Sequence, residues 1–361
     1  MIYLDHNATT SLYPQVIDKV AEVMRGTSNA SSVHAAGRHA RTLVEDARQA
    51  VGALCNANPK GVVFTSGATE ANNTIIKYFA NTGRVLTSGI EHPSVIEAAP
   101  QATRIPVKAD GLIDMDALAL MLQPSDAPAL ISVMLVNNET GVIQPVADIA
   151  KLAHTYGARV HTDAVQAAGR IAIDMPSLGV DYLTISAHKM GGPQGSGAIV
   201  GIAGAPPVKL IHGGGQERRQ RAGTENVAGI AGFGVAAKLA QDNLKTYAAL
   251  AAMRDAIEAR IPHITVFGAT APRVANTTCF ALPGVPADTQ LMALDLAGIC
   301  VSSGSACSSG SVKPSHVLEA MGIAPALATC ALRVSLGVTT TQADIDSFID
   351  TYNRLALTWL K

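Results

Sequence analysis

The chain has 361 residues, 15% of them charged, with 27 basic against 28 acidic side chains and a formal net charge of −1. Such a balance does not draw nucleic acid or an anionic membrane over a distance. The longest apolar run, residues 129–136, falls well short of the ~20 residues that span a bilayer, and the opening MIYLDHNATT lacks the basic and apolar parts of a signal peptide. A cytoplasmic protein with no membrane and no nucleic-acid partner is expected, with a large core drawn from a chain that is 48% hydrophobic.

In chain order, apolar and β-branched runs at 61–65, 84–88, 130–136, 159–162, 182–186 and 197–202 read as strands. Helical patterns over 68–79, 93–99, 146–156 and 175–178 fall between them. This alternation predicts an α/β fold built on a mostly parallel sheet with helices on both faces. Ligands in such folds bind beyond the carboxyl ends of the strands. After about residue 224 the pattern changes. An Ala-rich helical stretch covers 226–260, with Gly229, Gly232 and Gly234 as its expected breaks. Strands at 264–267, 276–282 and 332–336 follow, with helices at 288–297 and 342–360. A smaller α+β unit is expected there. The expected division is a large domain over 13–245 and a small C-terminal domain over 246–361 that also takes in residues 1–12.

The five cysteines are Cys55, Cys279, Cys300, Cys307 and Cys330. Their odd number and the lack of a C-x-x-C pair argue against a disulfide framework or a zinc site. Cys279, Cys300 and Cys330 lie in apolar text and are expected in the core, and Cys55 is expected to be structural. Cys307 differs. It sits in SSGSACSSGS, residues 302–311, where nothing large is present to bury it. A thiol in such a stretch is reachable and reactive.

Several short motifs bear on chemistry. Asp163 ends a strand, where its carboxylate would face a cleft, although an Asp there is also an ordinary helix cap. Lys189 follows a buried-looking strand and precedes a glycine-rich loop. Burying its ammonium is costly, and a lysine forced toward neutrality is a nucleophilic amine; the bland alternative is a solvated loop lysine. In FTSGATEANN, residues 64–73, a small-residue turn opens a helix, so its free amides and the helix dipole suit an anion, with the Thr69 hydroxyl alongside. His92 stands before Pro93 at a helix start, placed to stack on a flat ring or shuttle protons, or merely to cap. HGGGQERRQRAGTEN, residues 212–226, is either a polar loop or a phosphate or subunit contact. Taken together, a poised lysine, a carboxylate and an anion turn at the strand ends of one sheet are the set that pyridoxal phosphate needs.

Ten segments in order carry a resemblance: YLDHNATT, NASSVHAAGR, FTSGATEANN, EHPSVI, VNNETGVIQP, HTDAVQ, SAHKMGGPQG, HGGGQERRQRAGT, SSGSAC and LRVSLG. The chain resembles, nearly end to end, the cysteine desulfurases of the NifS/IscS type, relatives of the class-V aminotransferases with the fold-type I architecture of pyridoxal-phosphate enzymes. The resemblance implies a large domain with a mostly parallel seven-stranded sheet, a small α+β domain carrying the cysteine loop, and a homodimer. It implies that Lys189 forms the Schiff base with pyridoxal 5′-phosphate and that Asp163 pairs with the ring nitrogen. Gln166 would bond the ring hydroxyl, and His92 would stack on the ring and move protons. Ala68, Thr69, Ser186 and His188 would hold the phosphate, and Thr224 would reach it from the second subunit. Asn138 would contact cofactor or substrate. Arg333 would pair with the carboxylate of L-cysteine, with Asn29 nearby, and Cys307 would accept the sulfur and pass it to an iron–sulfur scaffold or another acceptor protein. No resident metal is expected, although Cys307 would meet an iron–sulfur cluster transiently. Where relatives often carry GNPSS, this chain has Ser28-Asn29-Ala30-Ser31-Ser32. A class-V transaminase, a selenocysteine-cleaving enzyme and a non-catalytic scaffold subunit are the rival expectations.

Overall fold

The computed structural model describes residues 1–27, 29–122, 127–303 and 315–360. Seven strands form the main sheet in the spatial order Val62–Thr65, Gly197–Gly201, Tyr182–Ser186, Arg159–Asp163, Leu130–Ser132, Val85–Ser88 and Thr103–Ile105. Only Gly197–Gly201 runs antiparallel to its neighbours; the other pairings are parallel. Side chains alternate between two apolar layers, as the two-residue strand period requires. Val85, Leu130 and Tyr182 pack on one face, against Ile75 and Phe79 of the helix Ala68–Ala80. Leu86, Ile131 and Leu183 pack on the other, against Ile149 and Ala153 of the helix Val146–Thr155. Both faces are therefore dry, and the polar groups of the strands are left to gather at the carboxyl ends.

The seventh strand, Thr103–Ile105, escapes the sequence pattern because it is a short edge strand with one inward residue. The run 130–136 is a regular strand only to Ser132, yet Val133 N still donates to His161 O at 3.1 Å and Leu135 N to Asp163 O at 2.9 Å.

The Ala-rich stretch corrects an expectation. It does not break at Gly229, Gly232 or Gly234; one helix runs Val227–Asp242 and a second starts beyond Asn243 as Leu244–Arg260. The glycines serve contact instead. A Cβ on Gly232 would lie 2.6 Å from Val20, and one on Gly234 would lie 2.6 Å from the Ala47 backbone. These positions let the helix press against Pro14–Met24 and against Ala35–Leu54, whose buried face itself includes Gly37, Ala40, Ala47, Ala50 and Gly52.

A four-stranded antiparallel sheet, in the order Ser302–Ser303, Ala331–Ser335, Thr277–Ala281 and Thr265–Val266, forms the second layer system. Its core joins Phe280, Leu332 and Val334 to Phe348 and Tyr352 of the helix Gln342–Trp359. The chain's beginning belongs to this cluster. Ile2 pairs with Ile299, and Leu4 is fully buried with Tyr247 and Leu250. Cys55, Cys279 and Cys330 are buried as expected, whereas Cys300 is only half-buried on a two-residue strand. No described helix is long and apolar enough to cross a membrane.

Candidate active site

Lys189 closes a tight 3-10 turn, Ala187–Lys189, directly after the strand Tyr182–Ser186. Its ammonium meets no carboxylate within ion-pair distance among the described residues. It donates instead to two backbone carbonyls, Asn7 O at 2.5 Å and Ala8 O at 2.7 Å. Burial, and after it the positive charges of Arg170 and Arg333, pull this amine down to about 7, against the opposing influence of Asp5 and Asp163. An amine in that range is readily neutral and nucleophilic near physiological pH. The N-terminal segment wraps the same turn: Thr10 N donates to His188 O at 2.9 Å, and Thr9 Oγ1 lies 3.2 Å from His188 Nδ1. Burial and the neighbouring Lys189 and Arg170 push the His188 imidazole down to about 4, so it is neutral.

Asp163 is the last residue of Arg159–Asp163 and is buried. It is not a helix cap. Its Oδ1 accepts from Val165 N at 2.9 Å and its Oδ2 from Asn72 Nδ2 at 2.7 Å, and a carboxylate has lone pairs beyond these for a further N–H. Asn72 also donates to Ser94 Oγ at 2.9 Å, and Ser94 Oγ lies 2.8 Å from His92 Nδ1. Ser94 N donates to the same nitrogen at 3.1 Å. Two donors on Nδ1 place the proton of the neutral ring on Nε2. Burial, with Lys189 and His316 adding to it and Asp163 opposing, holds His92 below the usual histidine value. The capping alternative for His92 is also true, since it caps the short helix Pro93–Ile96.

The anion turn lies at the N-terminus of the helix Ala68–Ala80. A Cβ on Gly197 would come within 2.6 Å of Gly67 C and 3.0 Å of Ala68 N, so only glycine lets that strand lie against the turn. Thr69 is exposed and Ser186 buried beside it in the fold. Glu70 fixes the turn by accepting from Ser66 N at 2.8 Å and from Arg221 at 2.9 and 3.2 Å. Burial alone would raise the Glu70 carboxyl, but these donors more than offset it. Arg221 thus ties the 212–226 loop to the turn. Thr224 and Ser66 line a common cavity of about 100 Å³.

Arg333, on the strand Ala331–Ser335, is nearly fully buried and donates to Asp5 Oδ1 at 2.7 Å and to Asn138 O at 3.3 Å, while its Nε has no partner. Gln166 Nε2 donates to Asn7 O at 3.0 Å. Hydrogen bonds through Asn7 and Asn138 thus link Lys189, Gln166 and Arg333, those through Asn72 and Ser94 link Asp163 to His92, and the two groups lie close enough for Asp163 and Lys189 to act on each other's charge. Asn29 stands apart in an exposed turn, its Oδ1 accepting from Ser31 N at 2.9 Å. Cys307 lies outside the described residues.

Several members of the constellation carry no signal of their own in the sequence. Asn7, Asn72, Ser94 and Arg170 are common polar residues there, and Asn7 meets Gln166 across 159 positions. The motif YLDHNATT marks the region without assigning it a role.

The donor set suits pyridoxal phosphate. It offers an amine without a carboxylate partner, a buried carboxylate with spare lone pairs, free amides at a helix N-terminus, and the unpartnered buried Arg333 Nε. Comparison with known proteins agrees. The family model described as aminotransferase class-V matches residues 2–348. An IscS-like cysteine desulfurase of Mycobacterium tuberculosis is 40% identical, over 97% of this chain and 95% of its own length. A cysteine desulfurase of Cereibacter sphaeroides is 41% identical, over 97% and 94%. A NifS-like protein from Rickettsia africae superimposes with a TM-score of 0.91 at 38% identity, covering 98% of this chain and 99% of that one. Fold and site together define a pyridoxal-phosphate enzyme, and the chain belongs to the aminotransferase class-V family. Within that family it groups with the cysteine desulfurases of the NifS/IscS type.

Proposed function

We propose that this chain converts L-cysteine and a protein thiol into L-alanine and a protein persulfide, with Lys189, Asp163, His92 and Arg333 as its working groups and Cys307 as the thiol. The balance is simple: one sulfur atom leaves the substrate carbon and joins the Cys307 sulfur, and a proton replaces it on carbon. The observation that carries the reading is the junction of a readily neutral Lys189 amine with Asp163, His92 and Arg333 at one end of the sheet. Bound pyridoxal phosphate supplies an electron-withdrawing ring that weakens bonds at the substrate α-carbon. Asp163 would pair with the ring nitrogen and favour its protonated form. Gln166 offers an amide to the ring hydroxyl, and Asn138 lines the cofactor or substrate side. Ala68, Thr69, Ser186 and His188 would hold the phosphate, with Thr224 supplied by a second copy. Arg333 would orient the substrate carboxylate by a two-pronged hydrogen bond, Asn29 would serve the substrate side, and His92 would offer its Nε2 proton.

Burial pushes Cys55 up to about 12 and Cys279 higher still, so neither is a ready thiolate. We extend the proposal to a cytoplasmic homodimer that hands sulfur to an iron–sulfur scaffold or another acceptor protein. We also propose a division at residue 245, with 1–12 counted in the smaller part; the clustering of Leu4 with Tyr247 and Leu250 supports it.

The test adds L-cysteine to the purified protein, measures alanine, and maps the persulfide by mass spectrometry. A Cys307→Ser protein is expected to keep its visible cofactor band and bind cysteine but release no sulfide under reducing conditions. Sulfide release at the unaltered rate would remove Cys307 from the reaction. Alanine formation that depends on an added keto acid would favour a transaminase instead.

A further inference from the structure

Arg170 is a nearly fully buried arginine, 4% exposed, that follows the strand carrying Asp163. No carboxylate among the described residues lies within ion-pair distance of it. Its NH1 donates to Gln166 Oε1 and to Gln166 O, the latter at 3.3 Å, its NH2 donates to His6 O at 3.1 Å, and its Nε has no partner. The Tyr247 phenol lies close enough to interact with it. A guanidinium only donates, so the amide atom facing it must be the oxygen. Gln166 is thereby fixed with Nε2 turned to Asn7 O at 3.0 Å, the carbonyl that also receives the Lys189 amine at 2.5 Å. An unbroken chain runs Arg170–Gln166–Asn7–Lys189.

We propose that Arg170 is a positioning residue for this site: it fixes the Gln166 amide with Nε2 toward Asn7 O and sets a positive charge, without a carboxylate partner among the described residues, behind Lys189. The proposal rests on the reading of Lys189 as the cofactor-binding amine. Two consequences follow from the geometry. With its oxygen held by Arg170, the Gln166 amide would present only its nitrogen, as a donor, to the cofactor's ring oxygen. A buried cation with no counter-charge also repels the ammonium form of Lys189, and Arg170 ranks next after burial among the groups lowering that amine. The other charged or titratable groups facing Lys189 are Arg333, Asp5, Asp163, His92 and His188. Asp5 is engaged by Arg333 and Asp163 by Asn72, so neither neutralises Arg170 directly.

The experiment reads Lys189 itself. The full chain, freed of coenzyme, is labelled with limiting acetic anhydride across a pH series, and modification of Lys189 is quantified by mass spectrometry. The unaltered protein should show a midpoint near 7. Arg170→Met should move it upward, so that labelling at pH 7 falls roughly fivefold for the first unit moved and about tenfold for each unit beyond it. Arg170→Lys, which keeps the charge, should stay close to the unaltered midpoint. Where Arg170→Met does not fold, Arg170→Gln carries the same prediction. An unchanged midpoint in the neutral variant, or an equal shift in Arg170→Lys, overturns the proposal. Coenzyme uptake, followed by the visible band of the unaltered protein, is scored separately. Its absence sinks the functional reading and leaves the labelling result to decide this one.

Discussion

Two buried arginines in this molecule face opposite situations. Arg48, on the helix Ala35–Leu54, is held by Glu217 through a two-pronged pair at 2.8 and 2.9 Å, donates to Val62 O at 2.7 Å and lies over the Phe64 ring at 5.0 Å. Glu217 in turn accepts from Phe64 N at 2.9 Å. Its own field is cancelled locally. What it delivers is mechanical: it pins a turn in which Glu217, Arg218 and Arg219 all take left-handed backbone angles, φ 45°, 55° and 67°. Such residues carry strain on the order of 1–3 kcal/mol each and persist only where the surroundings dictate them. Arg170 has no carboxylate partner among the described residues, and its charge is felt by Lys189, His188 and His6. A compensated buried charge holds shape, whereas an uncompensated one sets protonation.

The sharpest contrast is in turnover. Lys189→Ala should lower cysteine-dependent alanine formation by roughly 10³-fold or more and abolish the visible cofactor band. Its effect on stability should depend on pH. In the coenzyme-free chain the folded amine titrates near 7 and the unfolded one near the ordinary lysine value. The folded state thus binds fewer protons between those limits, and stability should rise with pH across that window. Lys189→Ala should flatten this rise in thermal unfolding series; an unchanged slope would mean that the amine is not shifted.

On the paired side, Glu217→Ala should leave the buried Arg48 with only the exposed Glu45 carboxylate, at 3.1 Å, as its ionic partner and destabilise by about 3 kcal/mol. Arg48→Met combined with Glu217→Leu should recover most of that loss, because no charge is left stranded. Denaturant unfolding of both variants measures this. A Glu217→Ala protein as stable as the parent would undo the contrast.

The smallest effect concerns Glu91. Burial raises this carboxyl to about 8, although Ser88, Met134 N and Arg104 favour its ionised form, and its Oε2 has no partner. It is protonated at neutral pH. The folded state holds that proton from the ordinary carboxylate range up to about 8, so stability falls as pH rises through this window. Glu91→Gln should unfold much as the parent does at pH 5 and should resist unfolding better at pH 8. Parallel curves at both values would count against a buried acid there.

Much of the molecule was legible before any coordinates. Buried parallel strands such as Tyr182–Ser186 read as apolar runs because both faces of the sheet are dry. Lys189, Asp163 and the anion turn stood out because charge and glycine interrupt those runs. The helix Ala35–Leu54 gave little signal, since Ala40, Ala47, Ala50 and Gly52 interrupt the stripe of Leu43, Val44, Val51 and Leu54 on its buried face. Gly232 and Gly234 read as breaks, because a sequence cannot say whether a glycine bends a helix or lets a neighbour approach.

Local periodicity and residue chemistry were enough to read the central strands and the residues that bring reactive groups to their ends. Tertiary structure alone decided which of these groups share a partner. The Asn7 carbonyl that joins Gln166 to Lys189, the Asn72–Ser94 link from Asp163 to His92, and the unpaired state of Arg170 arise only when distant segments pack and water leaves. Protonation depends on that desolvation and on charges brought near in space.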